Sequence, residues 1–354
     1  MYRFIVAFIL FTTSFAAIAE HAPEHGSEEK SFNAGELIMH HVMDNHEIHV
    51  GPIHIPLPII LYSKEKGLDM FSSSKISHGE PYNGYIMDHE KIYFVGDNGE
   101  VSRDEHGHID AAKPFDISIT KTVFGMFVTM GIMLFVFISI AKSYKKREGM
   151  APKGMQSMFE PLILFVTDEI AKPSIGKKYK KFLPYLLTIF FFIWIGNMLG
   201  LIPFLGGFNV TGNIAVALVL AIFTFIITSV NGNKDYWKHI YNTPGVPWWL
   251  KFPIPLMFFI ELIGFISKPV VLTLRLFANI TAGHIIILSF VSLIFIFNNL
   301  YGAGGGYGVS ILSVAFSIFM FAIELLVAFL QAYVFTLLSA LYFGSAVEEH
   351  DHAH

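Results

Sequence analysis

Residues 253–297 form an apolar run far longer than a soluble core helix, and Arg275 lies in its interior. A guanidinium stays charged in any protein environment. At bilayer depth such a charge costs from about 3 to more than 10 kcal/mol, so it persists only where it faces a polar cavity or a counter-charge. The chain has four arginines, and Arg3, Arg103 and Arg147 lie outside the long apolar segments or at their ends. Arg275 is therefore a functional-site candidate on physical grounds, with a purely structural tie to a neighbouring helix as the competing reading.

Composition sets the class. Charged residues make up 15% of the chain and hydrophobic ones 53%, whereas a soluble domain carries about 25% charge. The chain reads as a multi-span, all-α integral membrane protein with some soluble mass. Its net charge of −4 averages two unlike parts. Residues 20–116 hold 18 of the 28 acidic side chains and 7 of the 24 basic ones, while 117–354 hold 10 and 16. With no cysteine, disulfides, thiolate chemistry and cysteine-ligated metals are excluded. No other pattern calls for a cofactor, a metal or a nucleic acid.

The first residues, Met-Tyr-Arg followed by an apolar core Phe4–Phe15 and Ala17-Ile18-Ala19, have the secretory signal pattern. Residues 1–19 are expected to be a signal peptide cleaved after Ala19, with an uncleaved first anchor as the alternative. Residues 20–114 follow as an exported segment that carries eleven of the sixteen histidines. A short helix is expected over Ala34–Asp44 and strands over Glu47–Ile55, Ile59–Tyr62, Gly84–Met87 and Lys91–Val95, separated by Pro, Gly and Asn-Gly signals. His40, His41, His46 and His49 lack the helical His-x-x-x-His spacing with an acidic partner, so a solvated surface is favoured over a metal site.

The membrane domain is expected over residues 115–345. Its first span, Ile117–Ala141, ends in the basic cluster Lys142–Arg147, which the positive-inside rule assigns to the cytoplasm. Met150–Ala171 mixes Pro152, Gln156, Glu160, Asp168 and Glu169 with apolar residues and reads as an amphipathic helix on the inner surface. Phe182–Pro203 and Ile214–Val230 form a helical hairpin. The connector Asn231–Phe252, with Lys234, Lys238, Lys251 and three tryptophans, marks the inner face again. As single helices, Pro253–Phe297 would measure about 65 Å and Val309–Phe343 about 50 Å. The hydrocarbon core is only about 30 Å thick, so both must tilt or kink, with Pro269 the expected kink. A loop over Asn298–Gly308 joins them, and a tail over 346–354 ends inside. The sum is five crossings, one surface helix, and an exported N-terminus with some β structure.

The hairpin of the last two segments gives the polar residues their levels. With its turn centred near residue 303, facing residues have numbers summing to about 606, which sets Arg275 level with Gln331 and His284 level with Glu324. Asn279 follows Arg275 by four and Gln331 follows Glu324 by seven, so each pair shares a helical face. His284 is nine beyond Arg275 and points nearly the opposite way. Arg275 can hold a neighbouring carboxylate ionised. His284 and Glu324 can both titrate, so the pair suits a proton relay as well as a structural hydrogen bond. Glu261 and Lys268 lie toward the cytoplasmic end, where they either line an exit path or mark the interface, Lys268 by snorkelling.

At these residues the chain resembles subunit a of the F-type rotary ATP synthases. The similarity rests on Ser267-Lys-Pro-x-x-x-x-Leu-Arg-Leu-Phe-Ala-Asn279, Ala282-Gly-His284, Glu324 with Leu330-Gln-Ala332, and Asn197-Met-Leu-Gly-Leu-Ile-Pro203. It implies that Arg275 is the essential arginine, that Asn279 and Gln331 assist it, and that His284 and Glu324 form the inlet pair with acid and histidine exchanged relative to many bacterial members. It further implies a non-catalytic subunit of a bacterial inner membrane. Such a subunit couples proton flow to rotation of a ring of c subunits and associates with the subunit b peripheral stalk and the rest of the complex. The resemblance does not reach residues 20–114. The rival class is a secondary transporter using Arg275 to bind an anionic substrate; transporters usually show paired halves and broken helices, and neither pattern is present.

Overall fold

The computed structural model describes residues 34–50, 53–64, 66–76, 80–88, 90–95, 111–202, 207–241 and 256–348. The expected signal segment with its cleavage after Ala19, the connector carrying Trp248, Trp249 and Lys251, and the tail beyond residue 348 lie outside the described residues. The chain folds as two compact units. One holds the described residues up to Val128 with Leu199–Val210 and Ile285–Ile318; the other holds Thr129–Met198, Thr211–His284 and the described residues from Phe319 onward.

In the first unit, helix α1 (Ala34–Val42) precedes the hairpin β1 (Glu47–Val50) and β2 (Ile53–Pro56). The strand expected over Glu47–Ile55 is thus two paired strands. β3 (Pro58–Ser63) is the centre of a three-stranded sheet in the order β4-β3-β7, with β4 at Gly67–Ser72 and β7 at Phe115–Asp116. β5 (Tyr85–Asp88) and β6 (Lys91–Phe94) form a separate hairpin, as the Gly84–Met87 and Lys91–Val95 patterns suggested. β4 was not expected, since Asp69 interrupts its apolar alternation. The structure gives that aspartate a partner: the Tyr85 hydroxyl donates to it at 2.9 Å. Ile59, Leu61, Phe71, Ile76, Tyr85 and Ile92 make the buried core of this part.

Helix α2 (Lys121–Lys146) begins four residues later than the span expected from Ile117. The intervening residues are held by backbone bonds to the β-domain: Ile117 N–H to Ile60 at 2.9 Å, Ile119 N–H to Pro58 at 3.2 Å and Lys121 N–H to Asn45 at 2.8 Å. Asp44 then accepts from the Thr122 N–H at 3.0 Å, satisfying one of the helix's orphan donors with a charge of the favourable sign. Beside this junction His46 is buried, its Nε2 3.5 Å from Asp116. Burial works to raise the Asp116 pKa, but His46 and the Ser118 N–H outweigh it and hold the carboxyl below its ordinary range.

In the second unit, α3 (Met155–Phe165) passes through a π turn at Val166–Ala171 into α4 (Lys172–Ile175), and a short 3-10 turn leads to α5 (Tyr179–Gly200). α6 (Ile214–Val230) is capped by Asn213, whose side chain accepts from the Ala215 N–H at 2.9 Å. α7 (Lys234–Tyr241) follows at a bend of 105°. α8 (Leu256–Val347) runs through both long apolar segments. The runs Lys121–Lys146, Met155–Gly200 and Met257–Val347 are each long and apolar enough to cross a membrane, and α6 with α7 makes a further candidate. Here α3 and the π turn that follows it bury Gln156, Phe159 and Val166 while Met158, Leu164, Asp168 and Glu169 are exposed.

The loop expected over Asn298–Gly308 is helical except at Gly302, whose φ of 69° and ψ of −171° reverse the chain within α8. Asn298 lies against Gly306, and the Phe290 and Phe316 rings stack 5.3 Å apart, so the two arms are antiparallel neighbours. Pro269 stays inside the first arm with helical backbone angles.

Two outcomes follow from these geometries. A side chain at Gly302 meets a backbone region open essentially to glycine alone, at about 1–3 kcal/mol; Gly302→Ala should lower the midpoint of thermal unfolding in detergent, read by loss of helical circular dichroism. Because the folded-state pKa of Asp116 is depressed, its stabilisation is present above the unfolded value of about 3.9 and is lost as pH falls through the folded value. Hydrogen exchange at the Ile117, Ile119 and Lys121 amides should therefore accelerate as the medium is acidified below that range, and less so in Asp116→Asn.

Candidate functional site

The two arms of α8 sort their polar residues by helical face. On the first arm Leu272, Thr273, Leu276 and Ile280 are buried, whereas Arg275 and Asn279, one turn apart, are exposed. Around them Val270, Val271 and Leu274 are also exposed. The guanidinium thus stands on an apolar outer surface of the chain, where it makes no hydrogen bond or ion pair among the described residues. An unneutralisable charge on such a surface persists only where an acidic or polar group faces it.

The second group is turned inward. His284 Nδ1 lies 3.4 Å from Glu324 Oε1. Glu324 is 3% exposed, and neither of its oxygens accepts a hydrogen bond among the described residues. Its carboxyl lies against Gly283: a methyl group there would approach Oε1 to 2.8 Å. Glycine at this position therefore provides the space in which a carboxyl can sit beside an imidazole. A buried acid beside a half-buried imidazole brings together two groups that can each hold a proton.

The remaining candidates divide. Gln331 is buried on the face of the second arm that carries Glu324, and no hydrogen bond joins it to Arg275 among the described residues. Equal level in the hairpin did not bring a hydrogen bond: Gln331 is buried and Arg275 exposed. Glu261 is half-buried, and its Oε1 lies 4.0 Å from His239 Nδ1 on α7. The Lys268 ammonium sits 5.6 Å from the Tyr236 ring centroid and 5.3 Å from that of Tyr342, a cation–π arrangement.

Sequence reasoning missed several supporting residues. His239 had no signal except its place in a basic, aromatic stretch. Thr211 donates its hydroxyl to Asn197 Oδ1, and Thr281 donates to the Gly212 carbonyl at 3.4 Å, tying the first arm to the entry of α6. Gln156 accepts from Ser143 at 3.1 Å and donates to Glu160 at 3.4 Å, which gives the polar residues of α3 an internal use. Except for Gln156 and Glu160, one helical turn apart, these partners are far apart in sequence or lie in turns with no periodic pattern to reveal them.

Comparison with known proteins adds a family. The family described as "ATP synthase A chain" matches residues 123–344. A second, described as a domain of unknown function (DUF8433), matches residues 37–117. The chain is similar to ATP synthase subunit a of Chloroherpeton thalassium, 41% identical over 274 residues covering 74% of this chain and 78% of the relative. It is also similar to that of Pelodictyon phaeoclathratiforme, 38% identical over 356 residues covering 98% and 84%. With that of Anaeromyxobacter sp. it shares 38% over 269 residues, 70% of this chain and 61% of the relative.

Gly283→Ala tests the inward pair directly. Its methyl group displaces the Glu324 carboxyl from His284, and proton flux through the assembled complex should fall about tenfold, the effect of a penalty near 1.4 kcal/mol. Flux equal to that of the parent protein would show that the spacing of this pair is immaterial.

Proposed function

Because the chain belongs to the ATP synthase A chain family, it is an integral membrane subunit of the synthase's membrane sector, and we propose that it is the stator half of the proton channel. Protons enter from the outer side through a half-channel ending at His284 and Glu324, and pass to a carboxylate on a ring of c subunits. The ring turns through lipid until that carboxylate reaches an inner half-channel toward Glu261. There it releases its proton beside Arg275.

Arg275 acts electrostatically. Its fixed positive charge favours the ionised carboxylate opposite it. A hydrated cation cannot pass such a charge in a low-dielectric setting without a large penalty, so the two half-channels are not short-circuited. Asn279, one turn along on the same face, and Gln331 orient water or the guanidinium. The observation that carries this reading is the guanidinium exposed on an apolar outer surface while a buried Glu324 pairs with a half-buried His284 within the chain. A secondary transporter binding an anion at Arg275 would need that arginine to line an internal cavity.

The proposed arrangement has five crossings: α2, α5, α6 and the two arms of α8. α3 lies on the inner surface, residues 20–114 are exported after a signal peptide, and the C-terminus is cytoplasmic in a bacterial inner membrane. The basic cluster Lys142–Arg147 supports this orientation. Subunit b of the peripheral stalk and the c ring are the proposed neighbours. The subunit makes no ATP itself and needs no cofactor.

Arg275→Ala should abolish ATP-driven proton pumping in inverted vesicles, by about 100-fold or more if several kcal/mol of electrostatic guidance are removed, while insertion and assembly remain normal by immunoblot. Undiminished pumping by an assembled variant complex would sink the proposed mechanism.

A further inference from the structure

The β4-β3-β7 sheet has one face committed to the core, through Ile59, Leu61 and Phe71. Its other face is also apolar. The register sets Tyr62 opposite both Leu68 and Phe115, and sets Ile60 opposite Met70. Ile117 joins the second row through its backbone bond to Ile60. Two cross-strand rows result, Leu68–Tyr62–Phe115 and Met70–Ile60–Ile117, without a charged side chain in either. Leu68 is 63% exposed, Met70 65% and Phe115 69%. An antiparallel sheet with one face in water normally alternates apolar and polar residues. Six contiguous apolar positions instead mark an interaction surface. Just past the end of β3, Lys64 is exposed.

What covers this face follows from how the sheet is attached. No free linker separates it from α2, because Ile117, Ile119 and Lys121 are each hydrogen-bonded to the β-domain and Thr122 is capped by Asp44. The helix that begins there exposes Phe124 and Phe127 within its first two turns, the surface a membrane helix offers to hydrocarbon. Ile117 lies within about 14 Å of Lys121 along the chain and Phe115 within about 20 Å, even if fully extended. The polar headgroup layer outside the hydrocarbon is about 5–8 Å deep on each side. A sheet leaning over the membrane from this fixed attachment brings both rows to the headgroup boundary. Aromatic rings and a lysine beside an apolar face are the residue types that settle at that depth.

We propose that the outer face of the β4-β3-β7 sheet rests on the outer surface of the lipid bilayer. The two apolar rows enter the headgroup–acyl boundary, Tyr62 and Phe115 act as interfacial anchors, and Lys64 reaches anionic headgroups. The platform props the β-domain against the membrane beside α2, which gives residues 37–117 a lipid-binding role separate from ion translocation.

Because the chain has no cysteine, single cysteines at Leu68, Met70 and Ile117 can report the environment of this face in the assembled synthase. The complex is reconstituted in vesicles of phosphatidylethanolamine and phosphatidylglycerol and labelled with an environment-sensitive fluorophore, with the parent complex as background. All three labels should be quenched more strongly by a phospholipid carrying a shallow nitroxide than by aqueous iodide. In Leu68→Glu/Met70→Glu the label at Ile117 should lose its lipid quenching while proton pumping is retained. Quenching by iodide alone would show a water-facing sheet and overturn the proposal. So would protection from both quenchers with photocrosslinking to another synthase subunit, or unchanged lipid quenching in the double-glutamate variant.

Discussion

A permanent positive charge in an apolar setting must be matched by something, and among the described residues Arg275 has neither a hydrogen bond nor an ion pair to match it. The first arm of α8 buries Leu272, Leu276 and Ile280 and turns the guanidinium to the opposite side. A membrane helix gains little from burying leucine against leucine, since lipid is equally apolar; close packing and small residues must hold it instead. The second unit has that character. Ala217, Ala221, Ala332 and Ala340 are buried to within 1% of exposure, letting helices approach closely. Phe190, Phe191, Trp194 and Phe329 meet at centroid distances of 5.1–6.4 Å in mainly tilted and edge-on arrangements, which suits aromatic quadrupoles. This packing behind the arm allows its outer face to remain open to a partner.

The same α8 hairpin treats its two polar groups in opposite ways. Arg275 and Asn279 stand outward, whereas Glu324 is enclosed beside a half-buried His284. A desolvated carboxyl is tolerable beside an imidazole because the pair can share a proton and need not carry an isolated charge. In the proposed cycle this separation has a direct use. A proton is received within the subunit at one place, and a charge acts across the subunit boundary at another. Nine residues between Arg275 and His284 suffice, since two and a half helical turns reverse the direction of a side chain.

The β-domain follows the chemistry of water-soluble folds. Its core is organised by period-two alternation along β3, with Ile59 and Leu61 fully buried. Its acidic residues are absorbed by specific partners, Asp69 by Tyr85 and Asp116 by His46 and Ser118. Asp69 also accounts for the raised pKa of the Tyr85 hydroxyl, second to its burial. Continuous backbone bonding through residues 117–121 joins this fold to a membrane helix without a flexible hinge, so the position of the domain is set by the helix that follows it.

Hydropathy and the scarcity of charge determined the membrane class, the long final segments and Arg275 as the residue that needs explaining. Those properties are carried by composition along a single segment. Period-two alternation likewise revealed β3, β5 and β6, although Asp69 hid β4 because its partner, Tyr85, lies sixteen residues away. Hairpin arithmetic was enough to bring His284 to Glu324, since rise per residue is a property of any helix. Only the tertiary structure decided that Gly302 alone turns the chain, that Pro269 leaves its arm helical, and that Gly283 makes room for Glu324. It also decided that Gln331 is buried while Arg275 is exposed. Those facts depend on which faces pack against which neighbours, and a linear pattern sets a residue's height along a helix more readily than the direction in which its side chain finds company.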